Sequence, residues 1–162
     1  MRLVLLLLVG LLQVDVALAN DFTVYLIRHG EKQLEQGKDP ALAVDGLQRA
    51  DNLAQMLSEA PLTAIYSTDY RRTQQTVAAL AGQKGIEVQS YPPGQLATLA
   101  ATLKKHRQNA LVVGHSNTTP ELLALLGGGD VQMDESNYGD LYQLVFVDDK
   151  VVLTHLRVPL QL

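Results

Sequence analysis

Apolar and polar positions follow two rhythms along this chain, and these divide it into elements. Short unbroken apolar runs predict buried strands, and apolar residues recurring every three or four positions predict helices. Thr23 to Arg28 (TVYLIR) is the first buried-strand run, closed by Gly30. Val44 to Glu59 places Leu47, Ala50, Leu53, Ala54 and Leu57 at helical spacing. Ala64 to Ser67 predicts a short strand, and Asp69 to Ala81 a helix with Thr73, Val77, Leu80 and Ala81 on one face. Ile86 to Ser90 predicts a third strand, and Leu96, Leu99, Ala100 and Leu103 mark a helix that ends before Asn109. Ala110 to Gly114 (ALVVG) is the clearest central-strand run, and a helix follows it. Either Thr119 caps that helix with Pro120 at its first position, or Thr118 and Glu121 form a capping box. Leu141 to Val147 and Lys150 to Arg157 predict strands joined as a hairpin at Asp148-Asp149. Regular alternation of strand and helix predicts an α/β fold, a three-layer α/β/α sandwich around a mostly parallel sheet.

The first residues follow neither rhythm. Arg2 is a minimal basic start, Leu3 to Leu12 an apolar block, and Ala17-Leu18-Ala19 a small-residue cleavage pattern. The block falls short of the ~20 residues that span a bilayer. Residues 1–19 are therefore expected to be a signal peptide and residues 20–162 one domain, exported to the periplasm or secreted. Contact with a membrane is expected only if the segment stays uncleaved as an anchor.

Composition narrows the chemistry. Apolar residues at 47% and charged ones at 19% fit a globular domain and exclude wholesale disorder. A formal charge of −4 and the lack of any Lys/Arg run argue against a nucleic-acid partner. No cysteine is present, which removes disulfides, thiolate catalysis and cysteine-held metal.

Three polar clusters each follow a predicted strand: Arg28-His29-Gly30-Glu31, Thr68 to Thr76 (TDYRRTQQT), and His115-Ser116-Asn117. Ligands of open α/β sheets bind beyond the carboxyl ends of the strands, so these clusters are expected to meet at one edge. Arginine forks bind phosphate oxygens in pairs, and a neutral imidazole is a competent nucleophile at phosphorus. Phosphoryl transfer asks chiefly for positioning and positive charge, which the arginines and a protonated histidine supply without metal or other cofactor.

These clusters resemble the signature of the histidine phosphatase superfamily, in its phosphoglycerate-mutase-like branch. Arg28-His29-Gly30-Glu31 resembles the nucleophile motif, Thr68 to Thr76 the second motif with its arginine at Arg72, and Val113 to Asn117 the motif of the second histidine. The resemblance runs from about Val24 to Leu126 and implies a phosphoglycerate-mutase-like fold. It implies that His29 is the nucleophile, that Arg28 and Arg72 clamp the phosphate, and that His115 stabilises the transferring group. Lys32, Ser116 and Asn117 are further candidates for binding substrate. The implied activity is hydrolysis of a small phosphorylated substrate or envelope phosphate ester. Little room is left for the insertions of a mutase. A phosphohistidine protein phosphatase, or a phosphoanion-binding protein without turnover, are the alternatives.

The proton donor is unassigned. Mutase-like relatives place a glutamate between the motif arginine and the second histidine, where this chain has one carboxylate, Glu87, in a predicted strand. The acid-phosphatase branch places an aspartate after the second histidine, where this chain has Ser116, and the mutase motif's asparagine is replaced by Glu35. Glu31, Glu121, Asp134, Glu135 and Asp140 are candidates, with Glu121 also a helix cap. His106 is read as a surface residue, His155 as an edge-strand residue with nothing chemical beside it, and Gly127 to Asp130 as a helix cap and loop.

Overall fold

The computed structural model describes residues 21–35, 37–134, 136, 138–148 and 150–161. The proposed signal segment, Glu135 and Asp149 lie outside the described residues. Six strands form one sheet: β1 (Phe22–Arg28), β2 (Ala64–Ser67), β3 (Val88–Ser90), β4 (Ala110–Gly114), β5 (Asp140–Val147) and β6 (Lys150–Arg157). Four helices connect them: α1 (Val44–Met56), α2 (Arg71–Lys84), α3 (Leu96–His106) and α4 (Thr118–Leu126). The strand order is β3-β2-β4-β1-β5-β6. The first four strands run parallel, and β5 and β6 add an antiparallel hairpin at one edge. This is the expected α/β sandwich with a mostly parallel sheet.

Strands β1, β2 and β4 are buried almost throughout, which is why they read as continuous apolar runs. Their side chains alternate between two cores. Val24, Leu26 and Val112 pack with Leu99, Leu103, Leu122 and Leu126 of α3 and α4. Ile27, Ile65, Leu111 and Val113 pack with Leu53 and Leu57 of the α1 region and with Val77 and Leu80 of α2. Each fully buried aliphatic side chain contributes ~2 kcal/mol of transfer free energy to this arrangement. Among the described residues no helix is long and apolar enough to cross a membrane.

The parallel register sets the functional edge. Arg28 of β1 lies opposite Gly114 of β4, and Ser67 of β2 lies opposite Val113. The residues that follow these strands therefore leave the sheet side by side. His29 continues the ladder by one bond, its N–H donating to the Gly114 carbonyl at 3.0 Å.

Several boundaries differ from the sequence pattern. The first helix stops at Met56, not Glu59, and the second begins at Arg71 and runs on to Lys84, where Gly85 takes the left-handed conformation (φ 65°). The third strand is only Val88–Ser90, so Glu87 is exposed in the loop before it. Neither expected cap opens α4. Asn117 precedes it without a side-chain capping bond, and Thr118 Oγ1 instead accepts the backbone N–H of His115 at 2.9 Å. The preference of a threonine for a helix start is here diverted into holding the histidine loop. Gly127 ends α4 with φ 96°, as its place after the helix suggested.

Candidate active site

Each side chain of the site is positioned by the element that ends beneath it. Arg28, last in β1, is fully buried, with Nη1 donating to the Asp134 carbonyl at 2.7 Å and the guanidinium 4.2 Å from the Tyr138 ring centre. His29 follows it and is 3% exposed. Its Nδ1–H donates to the Gly30 carbonyl at 2.8 Å, which fixes the tautomer and leaves the lone pair on Nε2. Burial lowers its pKa to about 3, aided by the positive charges of Arg28 and Arg72 and by His115, against the opposing pull of the Gly30 bond. His29 is therefore neutral across the physiological range, the protonation state a nucleophile requires.

The turn after His29 depends on close backbone packing. A Cβ on Gly30 would come within 3.0 Å of Gly46, and one on Gly46 would sit 2.2 Å from the Glu31 carbonyl oxygen. Gly30 N–H donates to Thr76 Oγ1 at 3.0 Å, and Thr76 donates in turn to the Arg72 carbonyl at 2.7 Å. The loop after His29 is thus tied to the first turn of α1 and to the first two turns of α2.

Arg72, in the first turn of α2, reaches the same pocket. Its guanidinium lies 4.5 Å from the Tyr70 ring centre, and its Nη1 is 3.5 Å from Asp39 Oδ1. Its buried Nε and Nη1 make no hydrogen bond among the described residues. Such under-used donors suit an incoming oxyanion.

His115 stands across from His29, with ring centres 5.5 Å apart and planes at 66°. Its two nitrogens have different partners. Thr73 spends its one hydroxyl proton on a carbonyl, Thr68 O at 2.8 Å or Tyr70 O at 2.9 Å. Thr73 Oγ1 therefore accepts from Thr68 at 3.1 Å, and Thr68 Oγ1 must accept from His115 Nε2–H at 3.0 Å. That leaves His115 Nδ1 on the pocket side, 3.5 Å from Arg72 Nη2.

The pocket encloses about 330 Å³ and is lined by His29, Lys32, Tyr70, Arg72, Pro93, His115, Ser116, Asn117 and Thr118. The sequence candidates His29, Arg72, His115, Lys32, Ser116 and Asn117 thus converge, with Arg28 behind His29 in the strand. Tyr70, Tyr138, Thr68 and Pro93 are additions that sequence reasoning missed. Thr68 had a readable signal, since it opens the second motif; Tyr138 and Pro93 had none.

No carboxylate lines the pocket among the described residues. Glu31 is turned away and paired to Arg49 at 2.5 Å; burial alone would raise its pKa, but the Arg49 hydrogen bonds hold the carboxyl below its ordinary value. Arg49 also donates to the Val158 carbonyl, so this pair binds the loop after His29 to the C-terminal segment. Glu121 is exposed on α4. Asp134 uses its carboxylate on Ser136, and Asp140 is buried beside His155 at 3.1 Å. His155 was expected to have nothing chemical beside it, yet it contacts Asp140 and stacks on Tyr142 at 4.8 Å. The antiparallel β5–β6 register creates those contacts, and local sequence does not show it. His106 ends α3 and is exposed.

Comparison with known proteins places this geometry. A model of the histidine phosphatase superfamily (branch 1) matches residues 24–92. No curated protein sequence matches the chain. Among solved structures, the protein histidine phosphatase SixA, complexed with tungstate, superposes with a TM-score of 0.67 at 15% identity, covering 84% of this chain and 97% of its own. The alpha-ribazole phosphatase of Shigella flexneri gives 0.66 at 16% identity, covering 84% and 96%. Phosphoserine phosphatase of Entamoeba histolytica, in complex with 3-phosphoglyceric acid, gives 0.66 at 18% identity, covering 87% and 100%. These three likenesses are of fold.

Proposed function

Since a model of branch 1 of the histidine phosphatase superfamily matches residues 24–92, we propose that the chain is a metal-independent phosphatase of that family that hydrolyses a phosphomonoester through a phosphohistidine on His29. The observation that carries this reading is the state of His29. It is buried, neutral, and locked with Nδ1–H on Gly30, so Nε2 is the nucleophilic atom beside two arginines and a second histidine.

In the first step Nε2 bonds to phosphorus as the bond to the ester oxygen breaks. Arg28 and Arg72 neutralise the oxygens of the transferring group. His115, when protonated, keeps Nε2–H on Thr68 and presents Nδ1–H to the same oxygens. In the second step water attacks phosphorus, the N–P bond breaks, and inorganic phosphate leaves. No carboxylic acid lines the pocket among the described residues, and a leaving group that is already stable needs little proton assistance, so such substrates suit this site best.

The same observation supports one second reading, a phosphohistidine substrate such as the name of SixA states for that protein. The imidazole of a phosphohistidine is a good leaving group. The proposed export, supported by the pattern of residues 1–19, favours the ester. Hydrolysis of p-nitrophenyl phosphate by residues 20–162, lost at least 1,000-fold in a folded His29→Ala variant, is the expected result. Retained activity in that variant excludes this mechanism, whereas wild-type inactivity with tight phosphate binding identifies a phosphoanion-binding protein.

A further inference from the structure

The phosphate pocket accounts for the charged end of a substrate, and a second cavity adjoins it. This cleft of about 530 Å³ is lined by Asp69, Tyr70, Ser90, Tyr91, Pro92 and Pro93. Tyr70 and Pro93 line both, so the two spaces are immediate neighbours. We propose that this cleft receives the alcohol side of the substrate, and that it selects a flat, uncharged, aryl-like group over one bearing a second anion. The proposal rests on the phosphatase reading above and adds the class of ester to it.

Three features carry the assignment. The first is shape and polarity: two tyrosines and two prolines offer flat, rigid apolar surface that loses little side-chain entropy on binding. The second is charge. Lys32 and Arg72 line the phosphate pocket, while the one charged side chain among the described residues of the cleft is the exposed carboxylate of Asp69. A carboxylate or second phosphate placed there would meet repulsion and no guanidinium.

The third feature is rigidity. Tyr91 is buried, and its hydroxyl donates to the Val113 carbonyl in the strand that delivers His115. Tyr70 is held by the Arg72 guanidinium on its ring and by an edge contact with His115, centres 5.2 Å apart at 88°. The cleft wall is therefore built from the same scaffold as the phosphate site and is preformed.

The test compares phenyl phosphate, 2-naphthyl phosphate and 4-carboxyphenyl phosphate as substrates of the protein and of Ser90→Lys. 2-Naphthol and 4-carboxyphenol are both slightly more acidic than phenol, so leaving-group chemistry favours both esters alike, and opposite trends for the two report the cleft. Ser90 is exposed, lines the cleft and does not line the phosphate pocket. For the wild-type protein kcat/KM should rise about tenfold from phenyl to naphthyl, as expected for burying a second ring. It should fall at least threefold from phenyl to 4-carboxyphenyl. In Ser90→Lys that penalty, taken as the ratio of the phenyl to the 4-carboxyphenyl ester for the same variant, should shrink by about threefold to fivefold, as for an exposed ion pair. Equal turnover of phenyl and naphthyl esters, or a carboxyl penalty indifferent to Ser90→Lys, overturns the cleft assignment while leaving the phosphatase intact. Hydrolysis of none of the three overturns this proposal, and the p-nitrophenyl phosphate assay then decides separately whether the phosphatase reading stands.

Discussion

At the scale of single residues, the site is a set of proton positions as much as a set of charges. His29 is fixed by Gly30 and His115 by Thr68, each through the nitrogen that does not face phosphate. Thr68 touches no substrate atom in this scheme; it is a positioning residue whose acceptor role is forced by Thr73 behind it. Thr68→Val removes the acceptor at nearly constant volume. It should lower kcat about 10- to 100-fold with little change in KM, since a misaligned group costs chemistry more than binding. Thr68→Ser should restore most of the rate. Steady-state kinetics of the two folded variants check this, and equal rates for Val and wild type would refute the role. His29, Arg28, Arg72 and His115 were legible in the sequence because their motifs are local. Thr68's bond to His115 was not, because it joins residues 47 apart in the chain.

At the scale of elements, the loop after His29 is held by how closely α1 approaches it. Gly46 lies in the first turn of α1, and its missing side chain lets the helix pass against the Glu31 backbone. In Gly46→Ala the new methyl would meet a carbonyl oxygen at 2.2 Å, so the helix or the loop must move. Destabilisation of ~1–3 kcal/mol is expected from this overpacking, together with loss of turnover greater than the loss of fold explains. Thermal unfolding and activity of the variant, measured side by side, test it; a variant with wild-type stability and rate would show that the contact is idle. The pattern of residues 44–59 revealed the helix and most of its buried face, although Leu47 is exposed, but not this contact, since a glycine contributes nothing to a hydrophobic rhythm. The same limit explains the α4 start: Thr118 and Thr119 had the chemistry of caps, and tertiary contact gave Thr118 to the His115 N–H instead. Glu31 is the converse case. It sat in the motif as a plausible acid, and only the fold revealed Arg49 as its partner.

At the scale of the whole molecule, the order β3-β2-β4-β1-β5-β6 gathers three distant motifs at one sheet edge. That convergence was legible because buried parallel strands announce themselves as unbroken apolar runs and helices as three-to-four periodicity. The antiparallel hairpin was equally plain, but the contacts it makes, such as Asp140 with His155, depend on register across strands. The proposed export is a claim about the segment before the domain. Expression with residues 1–19 in a bacterial host should yield a periplasmic or secreted protein whose N-terminal sequence starts at Asn20; a cytoplasmic product retaining Met1 would count against it. The central claim is the covalent intermediate on His29. The most direct measurement is rapid quenching of the protein during turnover of a 32P-labelled phosphoester, followed by mapping of the bound label. An acid-labile, alkali-stable phosphate on His29, absent in His29→Ala, is the predicted result, whereas label on serine or on no residue during active turnover would contradict it.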